Sequence, residues 1–240
     1  MTEELFRQDS YLKECDATVV AINERGIILD RTVFYPTGGG QPGDSGELRL
    51  ANGISITISD TLKGDGTGIV HVTTPGQTVL AENGPAVGDK VTAVLNWERR
   101  HRYMRMHSCM HLLCALVTGD VTGGQVGDGK ARLDFNIPGD ALDKDHLTRE
   151  LNRLIVEDHK AVARWISDEE MAAHPELVRT MSVKPPSGQG KVRLLDIGGI
   201  DLQPCGGTHI AHTAEIGQVE VAKIENKGKQ NRRVNLRFVE

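Results

Sequence analysis

Residues 96–119 read NWERRHRYMRMHSCMHLLCALVTG, and the organisation of the chain turns on them. No glycine or proline occurs from Trp97 to Thr118, and Met106, Met110, Leu113 and Val117 recur at helical spacing. Asn96 is suited to cap the first turn and Gly119 to end the last. The pattern predicts a helix over 97–118. His107 and His111 lie four apart on it, so both rings project from one face and can reach a single ion.

Upstream of Asn96 the texture is that of strands and turns. ATVVAI (17–22) and IILDRTVFY (27–35) flank Asn23-Glu24-Arg25-Gly26, and GELRL (46–50) and ISITISDTL (54–62) flank Ala51-Asn52-Gly53. Both pairs carry hairpin signals, β-branched runs around residues that accept tight-turn geometry. GIVHVT (68–73) and KVTAVLNW (90–97) add two strands, and six short strands punctuated by turns suggest a small barrel. Downstream, a second helix is expected over 143–163, with Leu147, Leu151, Leu154, Ile155 and Val162 on one face. A third is expected from Ser167, which forms a capping-box pair with Glu170. After Pro185-Pro186 the chain returns to strands: VRLLDI, GIDLQ, AEIGQVEVAKI and RRVNLRFV. The expected fold class is α+β: a small N-terminal β-barrel over 1–95, then an α+β domain over 96–240.

Composition restricts the function. Hydrophobic residues at 38% and charged residues at 25% are ordinary for a globular protein, and no apolar run approaches the roughly 20 residues of a membrane helix. Acidic residues occupy the N-terminus where a signal peptide would be basic, so a cytoplasmic protein without membrane partners is expected. Four scattered cysteines, Cys15, Cys109, Cys114 and Cys205, do not make a disulfide framework. A net charge of -5 argues against indiscriminate nucleic-acid binding but leaves room for a local basic patch.

Nearly a hundred residues after the helical pair comes Cys205-Gly206-Gly207-Thr208-His209, whose two glycines let a turn wrap closely around an ion. Three imidazoles and one thiolate suit zinc, one per chain, in a tetrahedron of His107, His111, Cys205 and His209. Each half by itself is equally compatible with packed or solvated side chains. Spacing supports a metal site without deciding it.

Five segments carry a family resemblance. Phe34-Tyr35-Pro36-Thr37-Gly38-Gly39-Gly40-Gln41-Pro42-Gly43-Asp44-Ser45-Gly46 resembles the glycine-rich signature of the alanyl-tRNA synthetase editing region and its free-standing relatives, the AlaX family. His107-Ser108-Cys109-Met110-His111-Leu112-Leu113 and Gln203-Pro204-Cys205-Gly206-Gly207-Thr208-His209 resemble the two metal halves of that family. Arg132-Leu133-Asp134-Phe135 is similar to its Arg-Phe-Asp-Phe segment, and Lys227-Gly228-Lys229-Gln230-Asn231-Arg232-Arg233 to a basic loop. The similarity runs from about residue 30 to the C-terminus in the family's order. Cys109-Met110 departs from it, since the synthetase pattern has Ala-Thr there. A chain of 240 residues that begins at Met1 has no room for an ATP-binding aminoacylation module, so the longer free-standing type is expected.

The resemblance implies hydrolysis of the ester that joins a wrong amino acid, serine or glycine, to the acceptor end of alanine tRNA. Zinc could lower the pKa of a water towards roughly 7 and polarise the carbonyl. Four protein ligands equally describe a closed site that anchors substrate or only holds structure. Gln41 is the candidate reader of a serine hydroxyl, and Thr208 a second catalytic-site candidate. Lys227, Lys229, Arg232 and Arg233 are the candidate tRNA contacts, with Arg99, Arg100, Arg102 and Arg105 a second basic cluster. The competing readings are a non-catalytic zinc-containing RNA-binding module and an editor of threonyl-tRNA. A metalloprotease is a poor third reading because the histidine pair lacks the glutamate of His-Glu-x-x-His, and the absence of Gly-Lys-Ser/Thr after the glycines argues against a nucleotide loop.

Overall fold

In a computed structural model, which describes residues 1–66, 68–74, 84–137, 142–179 and 190–239, the chain divides into two units, Met1–His101 and Arg102–Glu240. The first unit contains strands β1 (Glu3–Glu4), β2 (Glu14–Asn23), β3 (Gly26–Leu29), β4 (Arg31–Thr32), β5 (Gly46–Leu50), β6 (Ser55–Lys63), β7 (Ile69–Thr73) and β8 (Lys90–Leu95). Six of them close into a barrel in the order β2-β3-β7-β6-β5-β8, with β8 pairing back onto β2. Alternate residues point inward, so Val19, Ile27, Leu29, Phe34, Leu48, Ile58 and Ala93 form its core.

Both expected hairpin turns form. At the first, the Asn23 side chain accepts from the amides of Arg25 and Gly26, and a Cβ on Gly26 would lie 2.1 Å from the His71 carbonyl oxygen. At the second, Gly53 takes a φ of +85° and donates to the Leu50 carbonyl. The long strand expected over 27–35 is instead broken at Asp30. Asp30 bonds Thr18 with both its amide and its carboxylate, and the chain then leaves the barrel ladder to pair β4 with β1.

One interaction ties this unit together. Arg100 is fully buried and Asp44 is 1% exposed. The guanidinium donates Nε to both Asp44 oxygens at 2.9 Å, its Nη2 reaches Asp44 as well, and it also bonds the carbonyls of Ser10 and Val33. Asp44 in turn accepts from the Tyr35 amide at 2.6 Å, and its carbonyl accepts from Thr61 Oγ1. Burial of such a pair is tolerated because both partners make several further hydrogen bonds within the fold. Arg100 is therefore a correction to the second basic cluster expected for tRNA. Its neighbours in that cluster are also occupied: Arg99 reaches the Gly43 carbonyl, Arg102 pairs with Asp128, and Arg105 donates to the Ile216 carbonyl.

The first helix, α1 (Trp97–Leu116), starts where expected, with Asn96 accepting from the Arg99 amide. Arg179 binds its C-terminal end, donating to the Cys114 carbonyl in the last turn and to those of Val117 and Gly119 just beyond it. The second unit continues with β9 (Asp120–Gly127), β10 (Lys130–Asn136), α2 (Lys144–Val156), β11 (Ala161–Ile166), α3 (Asp168–Ala173), β12 (Val192–Ile197), β13 (Asp201–Pro204), β14 (Val219–Asn226) and β15 (Asn231–Phe238). These form two antiparallel sheets, β14-β15-β10-β9 and β11-β12-β13. The helix α2 is shorter than expected. Asp158 takes a φ of +56°, which ends the helical path, and Val162 stands in a strand rather than on a helix face. Asp143 caps α2, and the Ser167–Glu170 capping box opens α3. Pro185-Pro186 lie outside the described residues. Among the described residues no helix is long and apolar enough to cross a membrane.

Removing one member of the Arg100–Asp44 pair strands a buried charge, so Asp44→Ala or Arg100→Met should each cost about 3–5 kcal/mol in urea unfolding. The double variant should cost much less than the sum; strict additivity would show that the pair is not coupled. A second expectation concerns acid. Burial pulls His71 down to about 4, against the hydrogen bond to the Ile27 carbonyl, and Thr32 Oγ1 meets its other nitrogen at 2.8 Å. The unfolded chain takes up this proton near pH 6.5 while the folded one resists it until about pH 4. The stability contributed is therefore intact above pH 6.5 and lost as pH falls through that window, at about 1.4 kcal/mol per pH unit. His71→Gln should flatten that slope in urea titrations across the window.

Candidate metal centre

Helix α1 is buried at every residue from Met106 to Cys114, so its polar side chains there need partners within the fold. Those partners come from β13 and the turn after it. His107, His111, Cys205 and His209 offer ligand atoms that all lie within 4.8 Å of one another. Cys205 Sγ is 3.6 Å from His107 Nε2 and 3.4 Å from His209 Nε2. A tetrahedral zinc with usual N and S bond lengths has an N···S edge of about 3.6 Å. The donor set and its spacing thus fit a metal ion of this kind.

The turn that brings Cys205 to the helix is held from beneath. Arg193, on β12, donates Nη1 to the carbonyls of Cys205 and Gly207, and its own carbonyl accepts from the Cys205 amide. Ser108, between the two helical histidines, accepts from the Ile210 amide at 3.2 Å and so fixes the far end of the turn to α1. Thr208 is fully buried in the turn, immediately before His209.

Electrostatics prepare the ligands. Burial opposes ionisation of Cys205, yet His209 and His107 hold its thiol well below the usual range. Burial pulls His209 down to about 3, with Cys205 opposing the shift and His107 and His111 adding to it. His111 behaves oppositely: burial works against its proton, but the Asp201 carboxylate, 2.7 Å from Nδ1, and Cys205 raise it to about 10. A thiolate and neutral imidazoles are the forms that bind metals, so His111 would have to release a proton as an ion binds.

Of the other expected site residues, Gln41 belongs to the first unit and is 1% exposed, with its amide and carbonyl both bonded to Gly38 across a loop in which Gly39 and Gly40 take positive φ. The basic run forms the β14–β15 hairpin. Lys229 is exposed at its tip, Lys227 lies 3.5 Å from Glu225, and Arg232 folds onto the carbonyls of Gly228 and Asn231. Arg233 is held in two parallel bonds by Asp134, which also pairs with Arg132. The residues that sequence reading missed are Asp201 and Arg193. A signal for Asp201 existed: Asp201, Gln203 and Cys205 alternate, which on a strand places them on one face.

The chain is similar to known proteins over nearly its whole length. Residues 192–235 match the family described as the threonyl and alanyl tRNA synthetase second additional domain, and residues 6–99 match class II (A) tRNA synthetases. The alanyl-tRNA editing protein AlaX-M of Methanosarcina mazei is 36% identical over 98% of this chain and 95% of its own length. AlaX-M of Saccharolobus solfataricus is 36% identical over 98% of each. The chain belongs to the AlaX alanyl-tRNA editing proteins. It is also similar, at 34% identity over 93% of its length, to a quarter of the alanine–tRNA ligase of Metallosphaera sedula.

If the cluster holds a metal, purified protein should carry about one transition-metal ion per chain, measured by elemental analysis. Cys205→Ala, His107→Ala and His111→Ala should each lose it. Full occupancy in a Cys205→Ala, His107→Ala double variant would remove these residues from the ligand set.

Proposed function

We propose that this chain hydrolyses the ester between a wrongly attached amino acid, serine above all, and the 3′-terminal ribose of alanine tRNA, using zinc at the four-residue cluster. The observation that carries the reading is near full-length similarity to proteins named as alanyl-tRNA editing proteins, combined with a metal-ready ligand set in the second unit. Zinc, when bound, supplies a Lewis acid for the ester carbonyl and for water. The protein's part is to hold three imidazoles and a thiolate in a dry turn that Ser108 and Arg193 keep in place.

Selectivity follows from chemistry that an aminoacylation site handles poorly. A pocket for alanine cannot strongly reject serine, whereas a second site that bonds the hydroxyl leaves its own polar groups unpaired when alanine enters. Gln41 offers both donor and acceptor for that hydroxyl, and Thr208, one residue from His209, is the second candidate. The tRNA would meet the β14–β15 hairpin, where Lys227 and Lys229 stand exposed and Arg232 and Arg233 line the strand behind them. A non-catalytic RNA-binding role is the second reading, favoured by the completeness of the four-ligand set.

Release of labelled serine, glycine and alanine from alanine tRNA separates the two readings: serine should be released far faster than alanine, and no release of any amino acid would favour the RNA-binding module. Gln41→Ala should lower serine release several-fold, in line with about 0.5–1.5 kcal/mol for one hydrogen bond, and glycine release less. Lys227→Ala with Lys229→Ala should weaken tRNA binding and flatten its salt dependence, because fewer counterions are released. An unchanged salt slope would reduce the hairpin to a solvated surface.

A further inference from the structure

Asp201 sits at the start of β13 and is 6% exposed, a carboxylate removed from water. Its Oδ2 accepts from His111 Nδ1 at 2.7 Å and from Gln203 Nε2 at 2.7 Å. His111 and Gln203 are themselves buried, at 6% and 4%. An ionised carboxylate only accepts, so the proton of the His111–Asp201 bond belongs to Nδ1. That leaves Nε2 as the nitrogen able to face the cluster. Gln203, on β13, lies two residues before Cys205, which follows the end of that strand, so the group that steers the carboxylate and the group that supplies the thiolate are set by one stretch of backbone.

We propose that Asp201 is a positioning residue of the centre: with Gln203 behind it, it fixes the ring and tautomer of His111 so that Nε2 is presented to the metal. The physical reason is that an imidazole can bind through either nitrogen and can rotate about its side-chain bonds. A buried carboxylate on Nδ1 removes both freedoms and raises the basicity of the ligating nitrogen. Burying a carboxylate is costly unless it is well bonded, and here its bonds converge on a ligand. The carboxylate touches the ligand set at His111 Nδ1, so the effect should act through His111.

The inference rests on the metal reading of the cluster, and the wild-type protein tests that reading by itself. Zinc affinity is measured by competition with a chromophoric chelator for wild type, Asp201→Asn, His111→Ala and the double variant, with circular dichroism of the chelator-stripped proteins as the folding control. Asp201→Asn should weaken zinc binding about 10–100-fold while leaving the stripped fold unchanged. In the His111→Ala background, whose three remaining ligands lose zinc on purification but still take it up weakly when zinc is titrated in, the same substitution should have almost no further effect, which a general structural role would not produce. Should Asp201→Asn fail to fold, Gln203→Met serves in the same cycle, with a smaller loss confined to proteins that retain His111. Wild type that binds no zinc overturns the metal reading and this inference with it. Wild type that binds zinc overturns the inference alone if Asp201→Asn, or Gln203→Met where that variant stands in, stays within about twofold of it, or loses equally with and without His111.

Discussion

A helix buried through nine consecutive residues cannot carry two histidines and a serine unless the rest of the fold supplies partners for them. That requirement on Met106–Cys114 organises the second unit. His107 meets the Cys205 thiol, Ser108 takes the Ile210 amide, and His111 takes Asp201. All three partners lie between Asp201 and Ile210, so β13 and the turn after it are pressed against one face of α1 by polar bonds rather than by apolar area alone. Arg193 then anchors that turn to β12, which carries the constraint into the three-stranded sheet.

Local pattern made much of this legible. The six barrel strands, both hairpin turns, the start of α1 and the Ser167 cap depend on residues within a few positions of one another, where periodicity and turn chemistry operate. The four cluster residues were legible for a related reason: each half is a four-residue spacing, on a helix or in a glycine turn. What local pattern could not supply was the partner of each charged group. Arg99, Arg100, Arg102 and Arg105 read as a basic stripe, but a buried arginine and an exposed one look alike in sequence, and Asp44 is 56 residues away from Arg100. The end of α2 was missed because Asp158 adopts a positive φ, a conformation that aspartate tolerates without announcing.

The glycine-rich segment acquires a structural meaning beside its functional one. A Cβ at Gly43 would lie 2.2 Å from the Thr61 carbonyl oxygen, and one at Gly46 would lie 2.1 Å from that of Val94. These glycines let the segment run against the barrel wall, which places Asp44 where Arg100 can reach it. Gln41 is therefore presented by a loop whose shape is set by close backbone approach and by a buried ion pair. Loss of function after a change at Gly43 or Asp44 would report on that scaffold.

The same accounting bears on how such a chain could engage RNA. Lysine and arginine number 28 against 33 acidic residues, so attraction to phosphate must be local. Much of the arginine is already committed: Arg100 to Asp44, Arg179 to the end of α1, Arg193 to the Cys205 turn and Arg233 to Asp134. An arginine bound in two parallel bonds to a carboxylate offers a phosphate little net charge. The lysines at the hairpin tip are not held in this way, and their point charges suit phosphate contacts that position without reading sequence. A small electrostatic footprint of this kind would give modest affinity for any tRNA. Discrimination must then arise where the aminoacyl end meets buried polar groups, because only there does a missing hydroxyl leave a partner unsatisfied.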